Sequence, residues 1–181
     1  MAKTLWLLRH AKAAEHPPSG GRDRDRRLAP KGVADAEELG SLVVSGAFGE
    51  VPRLVLVSSA ARTQATARAA FGPLGDEVEL ETDQRLYRAT PDDVLEIVRT
   101  IPDEIEVAGV VGHNPTIHCL AIDLVADALL EGPHPLSSRY PPGTLCVVSL
   151  QVTSWSSCSW DEGTLVTFHV PEKKHHAEPT S

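Results

Sequence analysis

Arg9 and His10 close one short apolar run, Thr4 to Arg9, and His113 closes another, Glu106 to Gly112. Arg62 falls in the first turn of the helix expected after a third run, Arg53 to Ser58. An imidazole can attack, accept a proton or give one near neutral pH. A guanidinium stays charged and offers a planar fork of donors to an anion. Alone, each of these residues means little. Together they form a set that could hold and process an anion, because all stand where strands end. The chain carries a net charge of −8, so cations for an anion must be gathered locally. A second concentration lies in Arg22-Asp23-Arg24-Asp25-Arg26-Arg27, a run that otherwise reads as a solvated loop. The acidic balance argues against a nucleic-acid binder, which needs a basic face.

The elements that must position these residues alternate. Thr4 to Arg9, Arg53 to Ser58 and Glu106 to Gly112 are apolar runs of strand length, and Val78 to Glu81 is a shorter extended piece. A helix begins near Pro30, with Val33, Ala36, Leu39, Leu42 and Val43 at helical spacing, and Gly46 and Gly49 end it. Ser58 or Ser59 can cap the next helix, about residues 60–70, which Gly72-Pro73 stops. Thr90-Pro91-Asp92-Asp93 is a helix start with acids in its first turn, and Asn114-Pro115-Thr116 opens a further helix. Leu145 to Val152 and Thr164 to Val170 read as two late strands joined by a polar hairpin flanked by Trp155 and Trp160, which read as edge-strand packing. This order predicts an α/β three-layer sandwich, a mostly parallel central sheet with helices on both faces. In such sheets ligands bind outside the carboxyl ends of the strands, where Arg9, His10, Arg62 and His113 fall.

The chain's 181 residues fit one domain, residues 1–170, followed by a polar tail, residues 171–181. Cys119, Cys146 and Cys158 have no paired or metal-like spacing and read as free thiols. The run Leu5 to Leu8 is too short for a signal or a membrane span, so the expected location is the cytoplasm, with no membrane partner. No Walker A loop, dinucleotide loop or zinc spacing occurs, and no metal or organic cofactor is expected. His175-His176 in the tail reads as solvated, and His16, His118, His134 and His169 have no partner pattern.

Four segments, in order, resemble the histidine phosphatase superfamily. Leu7-Leu8-Arg9-His10-Ala11 is similar to its Arg-His-Gly or Arg-His-Ala signature after the first strand. Arg26-Arg27-Leu28-Ala29-Pro30-Lys31-Gly32 resembles the segment before its first helix. Ser58 to Thr66 resembles the segment with its second phosphate-binding arginine, and Val111-Gly112-His113-Asn114-Pro115 the segment with its second histidine. Small size and the Arg-His-Ala-Lys start are most similar to the SixA-like branch, the phosphohistidine phosphatases. The resemblance spans about residues 3 to 152. It implies a phosphoglycerate mutase-like fold and a phosphatase in which His10 attacks a phosphoryl group and water hydrolyses the resulting phosphohistidine. It also implies that Arg9 and Arg62 bind the phosphoryl oxygens and that His113, when protonated, donates to one of them. Arg26 is expected to line the mouth, with Arg22 and Lys12 as further candidates. Asn114 is expected to bind substrate at the helix start, where backbone N–H groups face an anion.

Many members of the superfamily supply a carboxylic acid after the third strand. Here that stretch reads Arg85-Leu86-Tyr87-Arg88-Ala89-Thr90, flanked by Asp83, Asp92 and Asp93. Glu15, Asp23 and Asp25 in the charged loop are alternative donors. An alcohol leaving group needs a proton donor more than an imidazole or a phosphate does. The expectation is therefore a phosphorylated protein as substrate, through phosphohistidine. A small phosphorylated metabolite such as a nucleotide is the alternative. A phosphate-recognition module without turnover is a further reading, disfavoured by the pairing of His10 with His113.

Overall fold

The computed structural model describes residues 2–125, 135–137 and 139–172. Six strands form one sheet: β1 (Lys3–Arg9), β2 (Leu54–Ser58), β3 (Glu79–Asp83), β4 (Val107–Gly112), β5 (Leu145–Leu150) and β6 (Gly163–His169). Their order is β3-β2-β4-β1-β5-β6. The β3–β2, β2–β4 and β4–β1 pairs are parallel, and β5 runs antiparallel to both β1 and β6. Among the described residues, four helices connect the strands: α1 (Pro30–Val44), α2 (Ala61–Phe71), α3 (Pro91–Val98) and α4 (Thr116–Leu124).

The three layers follow from strand alternation. Successive side chains point to opposite faces, so an uninterrupted apolar strand needs cover on both. Leu5 and Leu7 of β1 join Leu56 of β2 and residues of α3 and α4, including Val94, Val98, Ile117 and Leu120. Trp6 and Leu8 turn the other way, into a core with Val55, Val57, Leu39 and Val43 of α1, and Ala67 and Phe71 of α2. Among the described residues, no helix is long and apolar enough to cross a membrane.

Helix α1 buries Ala36, Leu39 and Val43 but leaves Val33 exposed, so its apolar stripe is narrower than the spacing suggested. Gly40 lets it approach α2 closely: a Cβ there would lie 2.3 Å from the Ala69 carbonyl oxygen. Helix α3 starts as expected, Thr90 and Asp93 capping each other's backbone N–H with Pro91 in the first turn.

Three expectations need correction. Helix α2 has Ala60 at its cap position, whose methyl side chain accepts no hydrogen bond, and the Ser58 hydroxyl contacts His113 instead. Helix α4 begins at Thr116, after a turn through Asn114 and Pro115, rather than at Asn114. The β5–β6 connection is not a simple polar hairpin. Trp155 is fully buried in the α3/α4 core and its indole N–H donates to the Ile105 carbonyl at 2.7 Å. That segment therefore seals the far end of the sheet instead of decorating an edge. The three cysteines are free thiols, and burial pushes Cys146 up to about 12 and Cys158 up to about 11. His134 and the His175-His176 pair lie outside the described residues.

Candidate active site

Register brings the two histidines together. Arg9 pairs with Gly112 across the parallel β1–β4 ladder, so His10 and His113 leave adjacent strands side by side. The His10 backbone N–H donates to the Gly112 carbonyl at 3.0 Å, and the ring centroids are 5.3 Å apart. Strand β2 lies on the other side of β4 and ends at Ser58, whose hydroxyl is 2.8 Å from His113 Nε2. Helix α2 follows directly and carries Arg62. Its Thr66 hydroxyl accepts from the Ala11 N–H at 3.0 Å and donates to the Arg62 carbonyl at 2.7 Å, fastening α2 to the turn behind His10.

Side-chain partners fix the ring states. His10 Nδ1 is 2.8 Å from the Ala11 carbonyl oxygen, which can only accept. The proton therefore sits on Nδ1 and the lone pair on Nε2. Arg62 Nη2 lies 3.5 Å from His113 Nδ1, and a guanidinium only donates. His113 thus carries its proton on Nε2 and donates it to Ser58. Burial holds His10 down at about 4, reinforced by the charges of Arg62, Arg9 and Arg26 and opposed by the Ala11 contact. Burial also holds His113 down at about 3, with His10 and Arg62 adding to the shift and Asp23 opposing it. Both rings are neutral at pH 7, and His10 Nε2 carries a lone pair.

The arginines are anchored by main-chain oxygens. Arg9 Nη1 donates to the Tyr140 carbonyl at 2.7 Å, and the Asn114 amide donates to the same oxygen at 3.1 Å. Tyr140 is itself buried, its hydroxyl donating to the Leu7 carbonyl at 2.7 Å. Arg62 Nη1 donates to the Asp23 carbonyl at 2.8 Å and Nη2 to the Asp23 carboxylate at 3.0 Å. The Nε atoms of Arg9, Arg26 and Arg62 are buried without a hydrogen-bond partner among the described residues. Arg9, His10, Asp23, Arg26, Arg62, Tyr87, Arg88, His113 and Asn114 line one open cavity of about 320 Å³. All six residues singled out from the sequence are there. Lys12 lines a different hollow, and Arg22 is not part of this one.

The charged loop is more ordered than a solvated run. Residues 23–25 form a single 3-10 turn closed by the Asp25 carboxylate on the Arg22 N–H at 2.8 Å. Asp23 is the cavity's carboxylate, and it is not free to donate a proton. The Tyr87 hydroxyl donates to it at 2.9 Å and, with Arg62, holds it below the usual carboxylate range. Asp83 is occupied by Arg85, and Asp93 by its capping role. Tyr87, Arg88 and Ser58 belong to the site without having been singled out for it. Tyr87 and Arg88 stand in the stretch directly after β3, at a strand's carboxyl end, which is their one local signal.

Residues 5–87 match the histidine phosphatase superfamily (branch 1). An uncharacterised protein of Mycobacterium leprae is 33% identical over 170 residues, covering 91% of this chain and 99% of that one. The structure of a candidate phosphohistidine phosphatase SixA from Nakamurella multipartitia is 30% identical, with a TM-score of 0.80 over 94% of this chain and 97% of that one. The chain belongs to the histidine phosphatase superfamily, in its SixA-like branch. A candidate SixA from Agrobacterium tumefaciens is 29% identical, with a TM-score of 0.76 over 94% of this chain and 99% of that one. Membership makes the chain a hydrolase of the histidine phosphatase type and sets aside the reading as a recognition module without turnover. The fold is phosphoglycerate mutase-like, as the sequence resemblance implied.

Proposed function

We propose that the chain is a phosphohistidine phosphatase acting on a phosphorylated protein, with His10 as covalent nucleophile. The observation that carries this reading is the convergence of His10, His113, Arg9 and Arg62 in one open cavity whose carboxylate is tied up as an ion. The phosphoryl group sits between the guanidiniums of Arg9 and Arg62, which neutralise its non-bridging oxygens as charge spreads in the transition state. His10 Nε2 forms a bond to phosphorus while the bond to the leaving imidazole breaks, and the electron pair departs with that imidazole, which takes a proton from water. A water molecule then attacks phosphorus, the P–N bond to His10 breaks, and inorganic phosphate leaves. His113 is neutral in the free site. A bound dianion offsets the repulsion from Arg62, favours the imidazolium and turns it into a donor to a phosphoryl oxygen. Asn114 and Arg26 border the phosphoryl position and complete the anion's surroundings.

The leaving group is inferred from Asp23. Held ionised by Tyr87 and Arg62, it does not serve as the acid an alkoxide requires. An imidazole leaves without one, and an open cavity admits a phosphoryl group presented on a protein surface. Nucleoside diphosphates are the second reading. Arg26 and Arg88 add positive charge at the same cavity beyond what one phosphoryl group needs, and a phosphate leaving group also needs little protonation. Turnover of a phosphohistidine-bearing protein, a nucleoside diphosphate and a sugar phosphate at equal concentration tests the assignment. The phosphohistidine protein is expected to give the highest kcat/KM; preference for the sugar phosphate would overturn the leaving-group argument. The expected cellular location is the cytoplasm.

A further inference from the structure

Asp23 has no part in the chemistry described above, yet its carboxylate meets three other side chains at the cavity mouth. Its carboxylate receives Arg62 Nη2 at 3.0 Å and the Tyr87 hydroxyl at 2.9 Å, and its other oxygen lies 3.5 Å from Arg26 Nε. Its main-chain oxygen receives Arg62 Nη1 at 2.8 Å and the Arg26 N–H at 3.1 Å. These contacts join three separate parts of the chain: the charged loop, helix α2 and the link between β3 and α3. The Asp23 side chain is 57% exposed, whereas that of Arg62 is 8% exposed.

A carboxylate on a phosphate-binding arginine could be a rival for the substrate or a brace for the arginine. The contact pattern separates the two. Asp23 grips Arg62 through Nη1 and Nη2 and leaves the buried Nε–H without a partner among the described residues. A rival anion would need to leave when substrate arrives. Asp23 is instead pinned by Tyr87 and by its own backbone carbonyl, which cannot be displaced without unwinding the 23–25 turn. A long arginine side chain loses considerable rotamer freedom when it is fixed. Holding it beforehand means that binding a phosphoryl group does not bear that cost.

We propose that Asp23 is a positioning residue: it clamps Arg62 end-on, backed by Tyr87, so that the remaining guanidinium donors meet the phosphoryl group ready-aligned. The inference rests on the anion site proposed above but not on which leaving group departs. The clamp explains why an acidic side chain belongs in a cavity built for an anion. It also gives Tyr87 a role, as the second support that keeps the carboxylate on Arg62.

Inorganic phosphate is the probe, titrated by calorimetry into the full chain and into Asp23→Ala, Asp23→Asn and Tyr87→Phe, with kcat and KM measured alongside. Asp23→Ala should bind phosphate about tenfold more weakly and lose kcat/KM by a similar factor, the order expected when a charge-assisted hydrogen bond is removed at a part-exposed site. Asp23→Asn, which keeps an acceptor for Nη2, should recover most of the affinity; Tyr87→Phe should fall between. A structural role alone would lower the melting temperature without separating Asn from Ala in phosphate affinity. Phosphate binding that is unchanged or tighter in Asp23→Ala overturns the proposal, and tighter binding identifies Asp23 as a rival anion. A substrate panel that excludes phosphohistidine would overturn the leaving-group reading and leave this result standing.

Discussion

The Nδ1 atom of His10 lies 2.8 Å from the carbonyl oxygen of its own neighbour, Ala11. One short contact assigns the proton to Nδ1 and the lone pair to Nε2. Nitrogen-resolved NMR of the free protein should therefore show the His10 ring neutral at pH 5.5, with its proton on Nδ1. A ring protonated at that pH, or a proton on Nε2, would contradict the site's electrostatics, in which burial holds His10 at about 4.

The same shifts predict how stability depends on pH. His10 and His113 titrate at about 4 and about 3 in the folded chain, against about 6.5 when unfolded. As pH falls below about 6.5 the unfolded chain takes up these protons first, so the folded state loses stability down to about 4 through His10 and to about 3 through His113. Above that window both rings are neutral in either state and the penalty is absent. Urea unfolding at pH 7, 5.5 and 4.5 should show this decline, and a His10→Asn/His113→Asn double variant should show a shallower one. His169, also held low by burial, leaves a residual slope.

Ser58 receives the Nε2–H that the Arg62 contact leaves on His113. Its hydroxyl is completely buried and accepts the Nε2–H. Ser58→Ala leaves that buried donor without its partner, at a cost of about 1–3 kcal/mol in stability. Turnover should fall as well, by about tenfold, because His113 loses the contact that orients its ring. Chemical denaturation and steady-state kinetics on the one variant check both numbers.

Gly32 sets the path of the chain behind His10. A Cβ at this position would lie 2.1 Å from the Lys12 carbonyl oxygen, and that oxygen accepts the Ala29 N–H at 2.8 Å. Gly32→Ala must push the backbone after Ala11 away from α1. The expected result is destabilisation of about 1–3 kcal/mol together with reduced kcat, because Lys12 follows directly on the His10–Ala11 contact. Full activity with unchanged stability would mean that α1 can retreat freely.

Much of this site was legible in the sequence, for a physical reason. Parallel strands place their carboxyl ends on one rim, so Arg9-His10, Arg62 and His113 could be assigned to one crevice from apolar runs alone, and the four motif segments then supplied roles for them. The residues that hold them were not legible in the same way. Ser58 looked like a helix cap, because capping is local and visible in sequence, whereas its bond to His113 depends on β2 lying beside β4. Tyr87 and Asp23 meet across a separation of 64 residues, and neither has a local signature of that contact. Trp155 sat in a polar stretch and read as edge packing, but the chain folds it into the core beneath β1 and α3. Where a side chain's partner lies on a neighbouring strand or a returning loop, period and propensity carry no record of it.

The central claim is a covalent phosphohistidine on His10. Rapid mixing with 32P-labelled phosphohistidine protein, quenched in alkali because P–N bonds are acid-labile, tests it most directly. Transient label is expected on the peptide containing His10, stable to alkali, lost in acid and absent from His10→Ala. Turnover with no label on that peptide at any time, or a His10→Ala variant with full activity, would contradict it.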